Sequence, residues 1–256
     1  MDWTDDAIVL SLRRHGESAA IAELLTREHG RHMGLVRGSS RRHGATLQPG
    51  STVRATWRAR LEDHLGTWTI EPAKSRAGIL LGEAAALAGL TSACAVTSLS
   101  LPEREKHRPL YDALEVLADA FEAVDVWPAL YVRWELGLLT ELGFGLELEV
   151  CAVTGVSEDL THVSPRTGRA VCQAEAAPYK GRLLALPGFL REQVARGPAD
   201  ERAGDMNPYD VLDGLALTGH FLETRVWQPH GKVEPEARQR LTRRLEKLAQ
   251  TRRIIE

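Results

Sequence analysis

The chain has 256 residues, which is enough for two modest domains or one large one with a substantial core. Hydrophobic residues make up 43% and charged residues 26%, an ordinary globular balance that excludes the disordered and membrane-spanning classes. Residues 1 to 6 are acidic and lack the positive and apolar regions of a secretory signal, so we expect a cytoplasmic protein without a membrane partner.

The formal net charge of -3 hides a marked asymmetry along the chain. Residues 13 to 60 contain ten arginines against three glutamates, a net charge of +7. A second run near the end has seven basic residues against Glu246 alone, a net charge of +6: Arg238, Arg240, Arg243, Arg244, Lys247, Arg252 and Arg253. Such segregation indicates a polyanion-binding surface, with solvated faces of ordinary elements as the alternative.

Residues 5 to about 76 predict β structure. Five short runs with β character occupy residues 7–18, 19–26, 31–37, 52–60 and 66–71, and the last ends at Pro72. In the fourth run Val53, Ala55 and Trp57 alternate with Arg54 and Arg58, which predicts one buried and one cationic face. The single insertion, at 39–47, is large enough for a short helix.

Five strands in about 70 residues predict a small antiparallel barrel such as an OB-fold. An SH3-like barrel has a similar pattern, and periodicity alone does not separate the two.

Helical spacing begins near residue 77. Six segments have it: 79–99, 109–124, 128–142, 183–196, 208–223 and 235–250. Prolines stand near several starts, where a missing N–H is harmless. Residues 145–180 break this pattern and predict a small insert with a β-hairpin. The sequence therefore predicts an α+β protein with an OB-fold domain at 1–77 and a helical domain at 78–256.

Familiar catalytic motifs are missing: no phosphate-binding loop, no zinc-protease helix and no nucleophile elbow is visible. His220 lies in an apolar helical segment and is expected to be a packing residue. The rival interpretation is a metal-dependent nuclease or other DNA-processing enzyme. Asp112, Glu115 and Asp119 would share a helix face for it, although solvent exposure explains that spacing more simply.

Two of the three cysteines outline half of a zinc site. Cys151 and Cys172 stand where the first members of two C-x-x-C pairs would be, with Thr154 and Glu175 in the second positions. Structural zinc requires four Cys or His ligands, so we expect a degenerate site without metal and no cofactor.

The order of these features resembles the RecO family of bacterial recombination-repair proteins. The residues that carry the likeness are GES at 16–18, LLTREHG at 24–30, VRGSSRR at 36–42, RWELGLLTELGF at 133–144 and LTGHFL at 217–222. Trp134 replaces a usual Phe, and the halved zinc site is the main departure.

The resemblance implies a non-enzymatic, nucleoid-associated mediator of DNA repair. Such proteins bind single- and double-stranded DNA, anneal complementary strands and bind RecR. They also contact the C-terminal tail of the single-stranded-DNA-binding protein, so that RecA is loaded indirectly.

Arginine forks make bidentate contacts to phosphate, and clustering on turns and on one strand face selects the predicted DNA contacts. These are Arg13, Arg14, Arg37, Arg41, Arg42, Arg54 and Arg58. Trp57 and Trp68 are expected in the barrel core. The basic C-terminal run is a second candidate surface, for DNA or for the acidic partner tail.

Overall fold

A computed structural model describes residues 1–37, 47–61, 63–179, 181–191 and 207–255, with side chains to residue 251. The short helix predicted at 39–47 falls almost entirely outside the described residues. The chain is α+β, as predicted, and divides into two compact units. The first is Met1–Glu122 with Pro235–Arg238, and the second is Ala123–Glu234 with Gln239–Glu256.

Five strands form a closed barrel in the first unit: β1 Asp2–His15, β2 Ala19–Thr26, β3 Gly30–Arg37, β4 Thr52–Arg58 and β5 Thr67–Lys74. Their order is β1-β2-β3-β5-β4, and β1 closes the barrel by pairing with both β2 and β4. The β3–β5 pair is parallel and the other pairs are antiparallel. This five-stranded Greek-key barrel is the predicted OB-fold.

The barrel core consists mainly of alternate, inward-facing residues of all five strands. In β4, Val53, Ala55 and Trp57 are buried while Arg54 and Arg58 are exposed, which confirms the predicted alternation. Trp57 and Trp68 are core residues, as expected.

Two glycines make room for the core tryptophan rings. A Cβ at Gly34 would lie 2.5 Å from Cδ1 of Trp68, and one at Gly66 would lie 2.3 Å from Nε1 of Trp57. Only glycine admits the two rings at these positions.

Two strand ends differ from the prediction. β1 begins at Asp2 rather than near residue 5, because residues 2 to 8 pair along β4. β5 continues through Pro72 to Lys74. Pro72 lies opposite Val53, where the register of the pair shifts between Thr52 and Val53. A β-bulge of this kind accommodates a proline that has no N–H to donate.

Helices α1 (Ala84–Ser100) and α2 (Arg108–Ala120) complete the first unit, after a 3-10 turn at Ile79–Gly82. The buried carboxylate of Glu23 in β2 joins barrel and α1. It accepts hydrogen bonds from Arg31 Nη1 at 2.6 Å, Ser11 Oγ at 2.9 Å and Ser98 Oγ at 2.8 Å. Because buried charges require such partners, this network fixes the position of α1 on the barrel.

The second unit is built around α3 (Trp127–Glu141) and α6 (Pro208–Phe221), which pack together. Glu135 of α3 is fully buried and accepts a hydrogen bond of 2.5 Å from Thr218 Oγ1 of α6. Helix α6 continues as a π-helix at Leu222–Trp227, and α7 spans Glu236–Ile255. No helix among the described residues is both long and apolar enough to cross a membrane.

A three-stranded sheet interrupts these helices, in the order β7-β6-β8. Its strands are β6 (Leu160–Val163), β7 (Ala170–Cys172) and β8 (Leu184–Ala185), with short helices α4 (Gln173–Ala176) and α5 (Gly188–Arg191). The β6–β7 hairpin confirms the predicted insert. The helix predicted at 183–196 is wrong at its start, because Leu184 and Ala185 pair with β6 instead. Residues 192–196 lie outside the described part of the chain.

His32 gives the barrel a pH-dependent stability. His32 is 6% exposed, and its ring makes edge-type contacts with the rings of Trp3 and Trp57. Burial, together with the nearby charges of Arg104 and His29, lowers the pKa of His32 from 6.5 to about 4. The unfolded chain therefore binds a proton that the folded chain refuses. His32 therefore does not lower the free energy of unfolding above pH 6.5. As the pH falls from 6.5 towards 4, this free energy falls by up to about 3 kcal/mol.

We expect His32→Phe to flatten the fall in unfolding free energy between pH 7 and pH 5. Chemical denaturation at the two pH values measures it, with the exposed His64→Phe variant as the control. An unchanged pH dependence in His32→Phe would contradict the assignment.

Candidate nucleic-acid interface

Three of the predicted arginines lie together where β1 ends, β2 begins and β3 ends. Ala19 of β2 pairs with His15 on one side and with Arg37 on the other, and Ala20 pairs with Arg14 and Val36. The turn between β1 and β2 contains Gly16 at φ +65°, a conformation that favours glycine. We call Arg13, Arg14 and Arg37 the hairpin-tip arginines; all three are exposed.

The charges of Arg13 and Arg14 are not compensated within the described residues. Neither side chain has a hydrogen bond or an ion pair with another described residue. Arg41 and Arg42, also predicted as DNA contacts, belong to residues 38–46, which lie outside the described part of the chain. Two uncompensated guanidinium groups at an exposed hairpin can each contact a phosphate.

Arg54 and Arg58 are placed elsewhere, on the outer face of β4. Arg54 Nη1 lies 2.9 Å from Asp6 Oδ1, and this hydrogen bond raises the pKa of Arg54. Arg58 Nε lies 3.9 Å from Asp2 Oδ2. The face predicted to be cationic is thus partly neutralised by aspartates of β1, which the β1–β4 register brings opposite each arginine.

Other arginines of the basic N-terminal region are also engaged. Arg27 Nη2 lies 3.0 Å from Asp112 Oδ1, and Arg31 binds the buried Glu23.

Arg60 was not among the predicted contacts, yet it is exposed and has no hydrogen bond or ion pair with another described residue. Arg60 belongs to the β4–β5 connection, a loop that OB-folds use for binding. Its place in this loop is the sequence signal that could have identified it as a candidate contact.

Aromatic stacking does not contribute to this surface. Trp57 and Trp68 are buried, and Trp3 lies between the His29 ring at 3.9 Å and the Trp57 ring at 5.7 Å. No Phe, Trp or Tyr of the first unit is exposed in the part that the structure describes. Exposed guanidinium groups without an exposed aromatic ring beside them are suited to contacts with phosphates, which are tolerant of sequence and sensitive to salt.

The cysteine remnant of the insert is a hydrogen-bonded pair. The backbone N–H of Cys172 donates to Cys151 Sγ at 3.3 Å, and Thr154 Oγ1 lies 3.9 Å from Cys172 Sγ. Burial raises the pKa of the Cys151 thiol. Hydrogen bonds from Thr154 and from backbone N–H groups outweigh this effect and lower the pKa to about 6. Across the described ranges, no group of three or more His, Cys, Asp or Glu could hold a metal ion. Two thiols and a hydroxyl do not fit structural zinc.

The acidic face of α2 is engaged by cations of its own unit. Asp112 pairs with Arg27, and Asp119 Oδ1 lies 2.7 Å from Lys74 Nζ and 2.6 Å from Arg76 Nε. These aspartates are held by ion pairs and do not form the metal centre that the nuclease hypothesis requires.

His220 is a packing residue, as expected. Its Nε2 lies 3.1 Å from the Pro165 carbonyl oxygen, and its ring meets Phe221 edge-on.

The fold and this surface define an OB-fold protein with an exposed basic hairpin and a separate helical unit. Comparison with known families gives the particular family. "Recombination protein O N terminal" matches residues 1–76, and "Recombination protein O C terminal" matches residues 82–234. The chain belongs to the RecO family of recombination and DNA-repair proteins.

Individual relatives resemble the chain over nearly its whole length. The DNA repair protein RecO of Methylobacterium nodulans is 49% identical over 240 residues, covering 93% of this chain and 96% of the relative. That of Cereibacter sphaeroides is 51% identical over 243 residues, covering 94% and 97%. That of Rhodospirillum centenum is 50% identical over 250 residues, covering 96% of each chain.

Proposed function

We propose that the chain binds single- and double-stranded DNA through the hairpin tip of its OB-fold barrel and anneals complementary strands. The observation that carries this proposal is the cluster of exposed arginines at the ends of β1 and β3, two of them without a partner among the described residues. As a member of the RecO family, the chain acts as a mediator in DNA repair and recombination and is not an enzyme.

The proposed steps follow from this chemistry. Binding through phosphates leaves base edges free, so a held strand can still pair with its complement. Contact with phosphates also lowers the repulsion between two strands that approach each other, because cations replace the condensed counterions. A protein with these two properties accelerates annealing without a reacting group.

The proposed partners extend this role. RecR, the C-terminal tail of the single-stranded-DNA-binding protein and, indirectly, RecA are the partners that family membership supports. Through them the chain would help to load RecA onto strands covered by the single-stranded-DNA-binding protein. The domain division at residue 77 belongs to the same proposal, with DNA held by residues 1–77 and partners bound elsewhere.

An annealing assay tests the proposal. We expect the full chain to bind a labelled single strand and to accelerate its pairing with the complement at low salt, with both effects weakening steeply as salt rises. The same DNA incubated with Mg²⁺ should stay intact. A chain that binds neither strand would contradict the proposal, and cleavage would revive the nuclease alternative.

A further inference from the structure

Helix α7 presents basic residues along one face. Arg240, Arg243, Arg244 and Lys247 are exposed, and their i, i+3, i+4, i+7 spacing places them on a single stripe. We call these four residues the basic stripe. Arg238, also part of the basic run seen in the sequence, is buried and does not belong to it.

The arrangement within the stripe is unfavourable for an isolated helix. Arg240 with Arg244, and Arg243 with Lys247, are like charges four residues apart, where an acid and a base would normally alternate. Arg243 donates to the carbonyl and the side-chain oxygen of Gln239, and Arg244 and Lys247 have no ion pair with another described residue. A bound polyanion would relieve this repulsion.

The chemistry of the stripe selects the kind of polyanion. Three of its four side chains are arginines, whose forks match phosphate oxygens, and no aromatic residue occurs in the helix. Protein partners are anchored by buried aromatic and aliphatic side chains, and among the side chains that the structure describes this face offers only Leu248 at its margin, 48% exposed. The backbone of a nucleic acid strand therefore fits the stripe better than an acidic peptide.

We infer that the basic stripe of α7 is a second binding surface for single-stranded DNA, so that one chain holds two strands at once. This inference rests on the proposed function, because it assumes a first strand on the hairpin-tip arginines. It deepens that function by supplying a physical route to annealing. One strand is held on each unit, and two held strands meet at a higher effective concentration than two free ones.

The test uses the full chain and two non-complementary single strands, one carrying a donor dye and the other an acceptor. Energy transfer then reports strands held together without base pairing. We expect transfer with the wild-type chain and at least a tenfold loss of it in R243Q/R244Q/K247Q. Binding of one strand at the hairpin tip should stay within about threefold. Glutamine favours helix nearly as well as the residues it replaces, so α7 should persist.

A matched variant, R166Q/R182Q/K232Q, removes the same charge from exposed positions of the second unit and should retain the transfer. If the stripe variant loses helicity by circular dichroism, alanine at the same three positions replaces it. For the strand on the stripe, the log–log salt slope of binding should fall by about 2, since each phosphate contact on a single strand contributes about 0.7.

The outcomes separate two failures. A wild-type chain that binds no single strand at all contradicts the proposed function. A wild-type chain that binds one strand without bridging, or a stripe variant that bridges normally, overturns only the second surface. Tighter binding of poly-glutamate than of a single strand, lost in the stripe variant, would also overturn it in favour of an acidic peptide.

Discussion

R13Q/R14Q is expected to weaken single-strand binding about tenfold near 0.1 M salt and to lower the log–log salt slope by about 1.4, since two phosphate contacts are lost. Both guanidinium groups lack a partner among the described residues, so their full charge is available to DNA. A fluorescence-anisotropy titration at several salt concentrations measures both quantities.

The matched control is R54Q/R58Q, which removes two arginines from a strand of the same barrel. Each of these lies near an aspartate, Asp6 or Asp2, so we expect less than a threefold change in affinity. An equal or larger effect in the control would place the DNA on β4 instead of on the hairpin tip.

Glu23→Ala is expected to lower the free energy of unfolding by about 3–5 kcal/mol, because it leaves Arg31 without its buried counter-ion. Ser11 and Ser98 lose their acceptor in the same step. Urea denaturation followed by circular dichroism measures the change.

Glu23→Gln keeps two of the hydrogen bonds and should fall between Glu23→Ala and the wild type. Glu17→Ala, at an exposed turn position, should change stability by less than about 0.5 kcal/mol. A Glu23→Ala variant as stable as Glu17→Ala would show that the network adds nothing.

Much of the fold was predictable because its signals are local. The period-2 alternation of β4 and the turn glycines at 16 and 30 predict strands that form where expected. Pro109 and Pro128 are the second residues of α2 and α3, and Pro208 is the first residue of α6. The start of β8 was missed because Leu184 and Ala185 gain their partners from β6, some 20 residues earlier in the chain.

The site was predictable as a charge pattern but not as a surface. Sequence counts all arginines alike, whereas the pairing register decides which of them face an acid. Asp6 lies opposite Arg54 only because β1 pairs along β4. Glu23 contacts Arg31 only because β2 and β3 are neighbouring strands. Such long-range compensation cannot be read from spacing, which is why the charge pattern selects Arg54 although Asp6 engages it.

Cross-linking from the hairpin tip tests the central claim most directly. A photoreactive amino acid replaces His15, next to the hairpin-tip arginines, or Thr69, an exposed position on β5, in otherwise wild-type chains. With labelled single-stranded DNA and light, we expect a high yield of protein–DNA adduct from position 15 that salt abolishes, and little adduct from position 69. Equal yields, or more adduct from position 69, would contradict a strand held at the hairpin tip.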